Sequence, residues 1–272
     1  MSIYVVPSSP RMFVDMVEER ADRDLHHYSS AVLKAFGDVS PIFSRSQYSD
    51  LFWHCAVEVP GWFAQVLIAN AEAESKGSAK LIRMWSTMAS ASPLSASILR
   101  HARDESRHSR LFLDLIDWTM RNQVERKFVD QLRKTLPDVR VGELPQQSDE
   151  ISQVTLIDSL VQMNIGEIRT RVHIELFAPI LAELAPAPDK AQTIKVLQTL
   201  ARDEIRHITY TAELLEQAAE HGQSDLIAQL FRTRLSDFNS ITAEETKGSV
   251  EAFGAGAFQD LLVDQDSEAA NT

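Results

Sequence analysis

The 272-residue chain holds a single cysteine, Cys55. It can therefore form no internal disulfide and no cysteine-rich metal site, and it suits a reducing compartment. Glycine is scarce, with nine residues, while alanine, leucine, glutamate, glutamine and arginine recur throughout; this favours helix over sheet. Positive charge is also in deficit: 27 Lys and Arg against 39 Asp and Glu leave a net charge of −12. A nucleic-acid-binding surface wants a basic stripe, so no nucleic-acid partner is expected. No run of about 18 uncharged apolar residues suggests a membrane span. The N-terminal MSIYVVPSSPRMF lacks the basic start and apolar stretch of a signal peptide. The expectation is a cytoplasmic globular protein with no membrane partner.

What is present is helical periodicity almost from end to end. Residues 10–36 read as an amphipathic helix opened by Ser9-Pro10 and closed at Gly37, and 44–58 as a second helix ended by Pro60-Gly61. A long helical pattern runs from 61 to about 89. The ASASP turn follows, with Ser92-Pro93 as an N-cap and first-turn signal, and the next helix then runs to about 132. The segment TLPDVRVGELPQQSDE (135–150) is polar and aperiodic, a connection long enough to cross a bundle. Helices are expected again over 150–184 and, after the APAPD turn, over 190–220 and 223–238; the tail 265–272 should be frayed. No stretch alternates with the period of a strand. The reading is one all-α domain over 1–272. Its core, about 61–220, is two helical hairpins (61–132 and 150–220) joined by one long crossover, with extra helices at 10–58 and 223–238. That is the connectivity of a four-helix bundle with one long crossover.

One string is written twice. HARDESRH (101–108) returns 99 residues later as LARDEIRH (200–207), identical at six of eight positions. Each copy carries Glu-x-x-His, Glu105/His108 and Glu204/His207, and falls on the second helix of its hairpin. Positions i and i+3 share a helix face, so each pair can serve one metal ion. The phase strengthens this. Seven residues from Glu105 lie Ile98 and Phe112, seven after His108 lies Leu115, and seven before Glu204 lies Leu197. Leu200 and Leu214 flank His207 in the same way. The charged pairs thus sit on apolar stripes, where unpaired charge is expensive.

A dinuclear site also needs a carboxylate from each remaining helix. On the first, Glu74 has Leu67 and Leu81 at seven residues either side; the alternative, Glu72, has Gln65 and Ala79 there and Lys76 beside it. On the third, Glu167 lies between Leu160 and Ile174, whereas Glu175 is too near the APAPD turn to lie level with Glu204. The expected ligands are Glu74, Glu105, His108, Glu167, Glu204 and His207. Oxygen-rich ligation with one imidazole per metal suits two iron ions, or manganese, better than zinc. Asp104 and Asp203 can accept the other ring N–H of a ligand histidine, and Arg107 and Arg206 can pair with those aspartates. His101, one turn before Glu105, is a further ligand or a supporting residue; its counterpart in the second copy is Leu200.

The repeated D-E-x-R-H, Asp104 to His108 and Asp203 to His207, resembles the motif of the ferritin-like di-iron carboxylate superfamily, in its oxygen-activating branch of monooxygenases, desaturases and N-oxygenases. The resemblance covers about residues 60–215. It implies a ferritin-like bundle and a non-haem di-iron oxygenase or oxidase that uses O₂ to hydroxylate, N-oxygenate or desaturate a small organic substrate, with electrons from a ferredoxin or reductase, in a homodimer. In arylamine N-oxygenases an extra histidine one turn before a ligand glutamate belongs to the second motif; here it belongs to the first. Iron storage, or peroxide removal of the peroxidase or manganese catalase kind, is the alternative. Phe63, Leu67, Trp85, Phe112 and Phe177 are the apolar residues expected to line a substrate pocket.

Overall fold

The structure is a computed structural model that describes residues 9–89, 93–121, 123–137, 144–148 and 150–254, with backbone alone for 249–254. The expected N-cap at Ser92, the middle of the crossover and the tail 265–272 lie outside the described residues. All regular structure among the described residues is helical: α1 (Pro10–Glu18), α2 (His26–Val39), a 3-10 turn (Ile42–Ser44), α3 (Ser46–Glu58), α4 (Trp62–Ser86), α5 (Pro93–Thr119), α6 (Arg126–Thr135), α7 (Gln153–Leu184), α8 (Ala187–Ala218) and α9 (Ser224–Gly254). No single helix among them is long and apolar enough to cross a membrane.

The helix ends follow local chemistry where the sequence supplies it. Ser9 Oγ accepts the Met12 N–H ahead of Pro10, and Ser152 Oγ accepts that of Thr155. Gly61, at φ 79°, makes the corner between α3 and α4, and Gly222, at φ 88°, separates α8 from α9; both lie where a side chain would strain the backbone.

Three expected boundaries are corrected. The helix expected over 10–36 is two, α1 and α2, and α2 continues through Gly37 to Val39. The break is held from far away in the chain. Glu213 Oε1 accepts the Asp22 N–H at 2.8 Å, and Glu216 takes the Tyr28 and His27 N–H groups at 2.7 and 3.1 Å, capping α2 where Leu25 offers no side-chain cap. The helix expected to reach 132 stops at Thr119, and α6 folds back so that Arg133 grips Asp114 and Asp117 at 2.7 and 2.5 Å. Buried Met120, Val124 and Val129 offset the broken backbone ladder. Finally, α9 runs to Gly254, well beyond 238.

Hairpin α4/α5 and hairpin α7/α8 meet mainly through α5 and α8. The described parts of the crossover follow α4: Ser75 Oγ donates to the Pro137 carbonyl at 3.2 Å, and the N–H groups of Ser148, Glu150 and Ile151 reach the Ser86 and Thr87 carbonyls. Helix α3 packs on α4 and α7, α9 on α7 and α2, and α1 on α8 and α2. One apolar cluster extends from Phe13 to Leu235, and a smaller one gathers Leu81, Met88, Ile98 and Ala102 around the far end of α4 and α5. Between the two clusters lies a band of buried acids and imidazoles.

Candidate metal centre

The band is built by four helices. Helix α4 delivers Glu74, α5 delivers Glu105 and His108, α7 delivers Glu167, and α8 delivers Glu204 and His207; all six are buried. His108 Nδ1 lies 3.4 Å from Glu74 Oε2 and 3.2 Å from Glu204 Oε1. His207 Nδ1 lies 3.7 Å from both Glu167 Oε2 and Glu204 Oε2. Glu105 Oε1 stands between the imidazoles, 4.0 Å from His108 Nδ1 and 3.9 Å from His207 Nδ1. Glu74 and Glu167 therefore flank the group, while Glu105 and Glu204 each reach both histidines. Glu72, by contrast, is on the surface with Lys76, and Glu175 pairs with Arg171.

The aspartates and arginines join the two copies of the motif crosswise. His108 on α5 donates its Nε2–H to Asp203 on α8 at 3.4 Å, and His207 on α8 donates to Asp104 on α5 at 3.5 Å. Arg107 bonds Asp203 at 2.6 Å and its own motif's Asp104 at 2.9 Å; Arg206 bonds Asp104 at 2.6 Å and Asp203 at 2.7 Å. Burial opposes ionisation of both aspartates, but the histidines and arginines around them win and hold Asp104 down to about 2 and Asp203 lower still. As ionised carboxylates they only accept, so each histidine must carry its proton on Nε2, and in its neutral form it turns the Nδ1 lone pair inward. Asp203→Asn is expected to weaken metal binding about 10–100-fold with the fold retained, as removal of an outer hydrogen-bond partner usually does. Metal titration of the variant against the parent chain checks this.

His101 belongs to the group geometrically. Its Nε2 lies 3.3 Å from Glu105 Oε1 and 3.1 Å from Glu167 Oε1, its Nδ1 is 2.7 Å from the Tyr210 hydroxyl, and its ring stacks on His207 at 3.7 Å. Applying the 99-residue offset, Tyr210 corresponds to Leu111, just as His101 corresponds to Leu200. The histidine–tyrosine pair at the His207 end of the group thus corresponds, in the other copy of the motif, to two leucines. Tyr210 had no signal in the sequence beyond that offset.

The electrostatics are those of a site short of cations. Burial, and then the neighbouring Glu74 and Glu167 charges, push Glu105 up to about 8; burial and Glu167 push Glu204 up to about 7. Glu167 is held well below its ordinary value: burial pushes it up, but the His101 charge and the nearby Glu204 and His207 outweigh burial. His207 rises to about 9, since Asp104, Glu167 and Glu204 overcome its burial and the His101 charge.

Whether these residues suit a metal is answered by the atoms left over. Glu74 Oε2, Glu105 Oε1, both Glu204 oxygens, and the inward nitrogens of His101, His108 and His207 are buried without a hydrogen-bond partner. Native interiors rarely leave such groups unsatisfied, and here they converge. His101, Glu105, Glu167 and His207 can place ligand atoms within 4.8 Å of one another, as can Glu74, Glu105 and His108. Gly77 makes room: a Cβ there would lie 2.7 Å from Glu105 Oε2. The donor set fits hard or borderline divalent cations. Gly77 had a faint signal in the sequence, a glycine in the middle of a helix with no turn around it.

The expected pocket residues lie elsewhere. Phe63, Leu67, Phe112 and Phe177 are core, with Phe177 edge-on to Phe112 and tilted against Phe63, and Trp85 packs on the smaller cluster. A cavity of about 580 Å³ lies between α4 and α7 under α3 and α9. His173 lines it, with its ring stacked on Tyr48 and its Nε2 2.8 Å from the Tyr48 hydroxyl. Comparison with known protein families, curated proteins and solved structures returned no match.

Proposed function

We propose that the chain is a ferritin-like di-iron oxidoreductase that uses dioxygen to oxidise a small organic substrate. The observation that carries this reading is the convergence of buried, hydrogen-bond-orphaned carboxylate oxygens and imidazole nitrogens from four helices. The ferritin-like arrangement is supported by two hairpins that each supply one glutamate from the first helix and Glu-x-x-His from the second.

In this reading Glu74, Glu105, His108, Glu167, Glu204 and His207 would hold the two ions, His108 and His207 each through its inward Nδ1. The charge of four carboxylates balances two divalent cations. Iron bound there would supply the one-electron chemistry with dioxygen that amino-acid side chains lack. The chain's own part is positional. Asp104 and Asp203 hold the imidazole rings and keep Nδ1 free, Arg107 and Arg206 lock those aspartates, and burial keeps bulk water from the ligands. Repeated turnover calls for an outside electron donor such as a ferredoxin or reductase.

The test is anaerobic loading with ferrous iron, followed by metal analysis and Mössbauer spectroscopy before and after oxygen. Two irons per chain whose ferrous signal becomes ferric on exposure to O₂ is the expected result. Fewer than two metals, or a signal indifferent to oxygen, would sink the proposal. Uptake continuing far beyond two irons per chain would favour storage instead.

A further inference from the structure

The groove between α4 and α7 is walled by aromatic and aliphatic side chains, among them Tyr48, Phe52, Trp62, Val66 and Phe238. It follows α4 from Trp62 to Ala73, about 16 Å at the helical rise. Ala73 and Gly166, which line it, immediately precede Glu74 and Glu167, so the groove reaches the level of the metal group. Its volume suits a small organic molecule.

Among its described lining residues the fixed charges are Arg169 and Glu245. The Arg169 side chain is only 17% exposed. One of its terminal nitrogens pairs with Glu245 of α9, whose side chain is 54% exposed, while its Nε is buried without any partner. An arginine offers Nε and Nη2 together as a fork matched to both oxygens of one carboxylate. Here half of that fork is in use, and the user is an exposed side chain late in α9. His173 beside it brings no second cation, since burial and the Arg169 charge hold it down to about 3.

We propose that this groove is the substrate site and that the substrate is an organic carboxylate. Its carboxylate takes the Nε/Nη2 edge of Arg169 in place of Glu245, one helical turn from Gly166 and so near the metal group, and its apolar body lies along α4 against Val66, Trp62, Phe52 and Tyr48. Calling the ligand a substrate rests on the oxidase reading; the binding itself does not. Glu245 is then a latch that the ligand displaces, and its exposure makes that displacement cheap.

Isothermal titration of the full chain with 4-phenylbutyrate and with 4-phenylbutan-1-ol, metal content measured on the same sample, tests this. The carboxylate should bind at least tenfold tighter than the alcohol, and Arg169→Gln should abolish the difference. Glu245→Gln, a change at an exposed position that leaves the fold intact, should tighten the carboxylate several-fold and leave the alcohol unchanged. Equal affinities, no binding of either probe, or no gain in Glu245→Gln overturns the proposal. So does carboxylate binding that survives Arg169→Gln, which would place the ligand on a metal or elsewhere. None of these outcomes depends on the iron count, so failure here and failure of the di-iron reading are separable.

Discussion

Replacing Glu105 and Glu204 together by glutamine is expected to shift thermal stability in opposite directions depending on metal. Without metal both acids are a burden. Their folded-state values, about 8 and about 7, lie above the ordinary 4.5, so the folded chain holds protons that the unfolded chain has released. That destabilises the fold progressively as pH rises from about 4.5, and in full above about 8. His207 works in the same direction: its raised value adds stability at low pH that is lost as pH climbs through about 9. Glutamine keeps the volume of each side chain and cannot ionise, so the cost of holding or burying these charges at high pH is removed. For a chain of this size that raises the metal-free Tm by several degrees, most clearly at pH 8–9.

With metal the order reverses. An ion present at a thousandfold over its dissociation constant stabilises the fold by about 4 kcal/mol per site, or roughly 10 °C in Tm. The double variant forfeits that stabilisation because two of the four expected carboxylate ligands are gone. Melting curves of the two proteins, with chelator and with ferrous iron under anaerobic conditions, decide the matter. Identical responses to metal would mean that the buried acids are a polar network and not a ligand set.

The parts of this molecule that were legible in the sequence are those that one helix decides alone. The duplicated octapeptide, its placement on the second helix of each hairpin, and the apolar phase of Glu74 and Glu167 all follow from 3.6-residue periodicity, and the structure brings these side chains together. Periodicity shows which face a residue occupies but not which helix it meets. The crosswise Asp–His bonds could not be read for that reason, since each motif taken singly suggests that its aspartate serves its own histidine.

The same limit explains the corrected boundaries. Residues 19–25 and 120–125 contain no glycine or proline to announce a break. The first break is stabilised by Glu213 and Glu216 on α8, and the second by Arg133 turning back to Asp114 and Asp117. The residues expected to line a pocket pack as core instead, for a related reason. Large apolar side chains on the bundle's inner face pack against each other, as Phe63, Phe112 and Phe177 do, whereas the cavity opens where smaller residues, Ala69, Ala73 and Gly166, face a neighbouring helix.

Gly77→Ala is expected to make the chain more stable and its metal site worse. Glycine inside a helix costs up to about 1 kcal/mol relative to alanine, so the substitution should raise the metal-free Tm by about 2–4 °C. Gly77 lies in the middle of α4, and an added Cβ would lie 2.7 Å from Glu105 Oε2, closer than any tolerated contact. The neighbour is the end of a flexible side chain, so the fold can yield by swinging the carboxylate away. Glu105 is also the one residue common to both groups of potential ligands. Its displacement should therefore weaken both ions, lowering iron affinity at least tenfold or bringing the content below two per chain. Gly37→Ala in α2 separates the two effects, because nothing lies within 4 Å of its added Cβ: it should gain the same stability and leave iron binding untouched. A Gly77→Ala chain that held two irons at the parental affinity would remove Glu105 from the ligand set. A loss of iron in that variant alone would show that a glycine is conserving space for a carboxylate at the expense of its own helix.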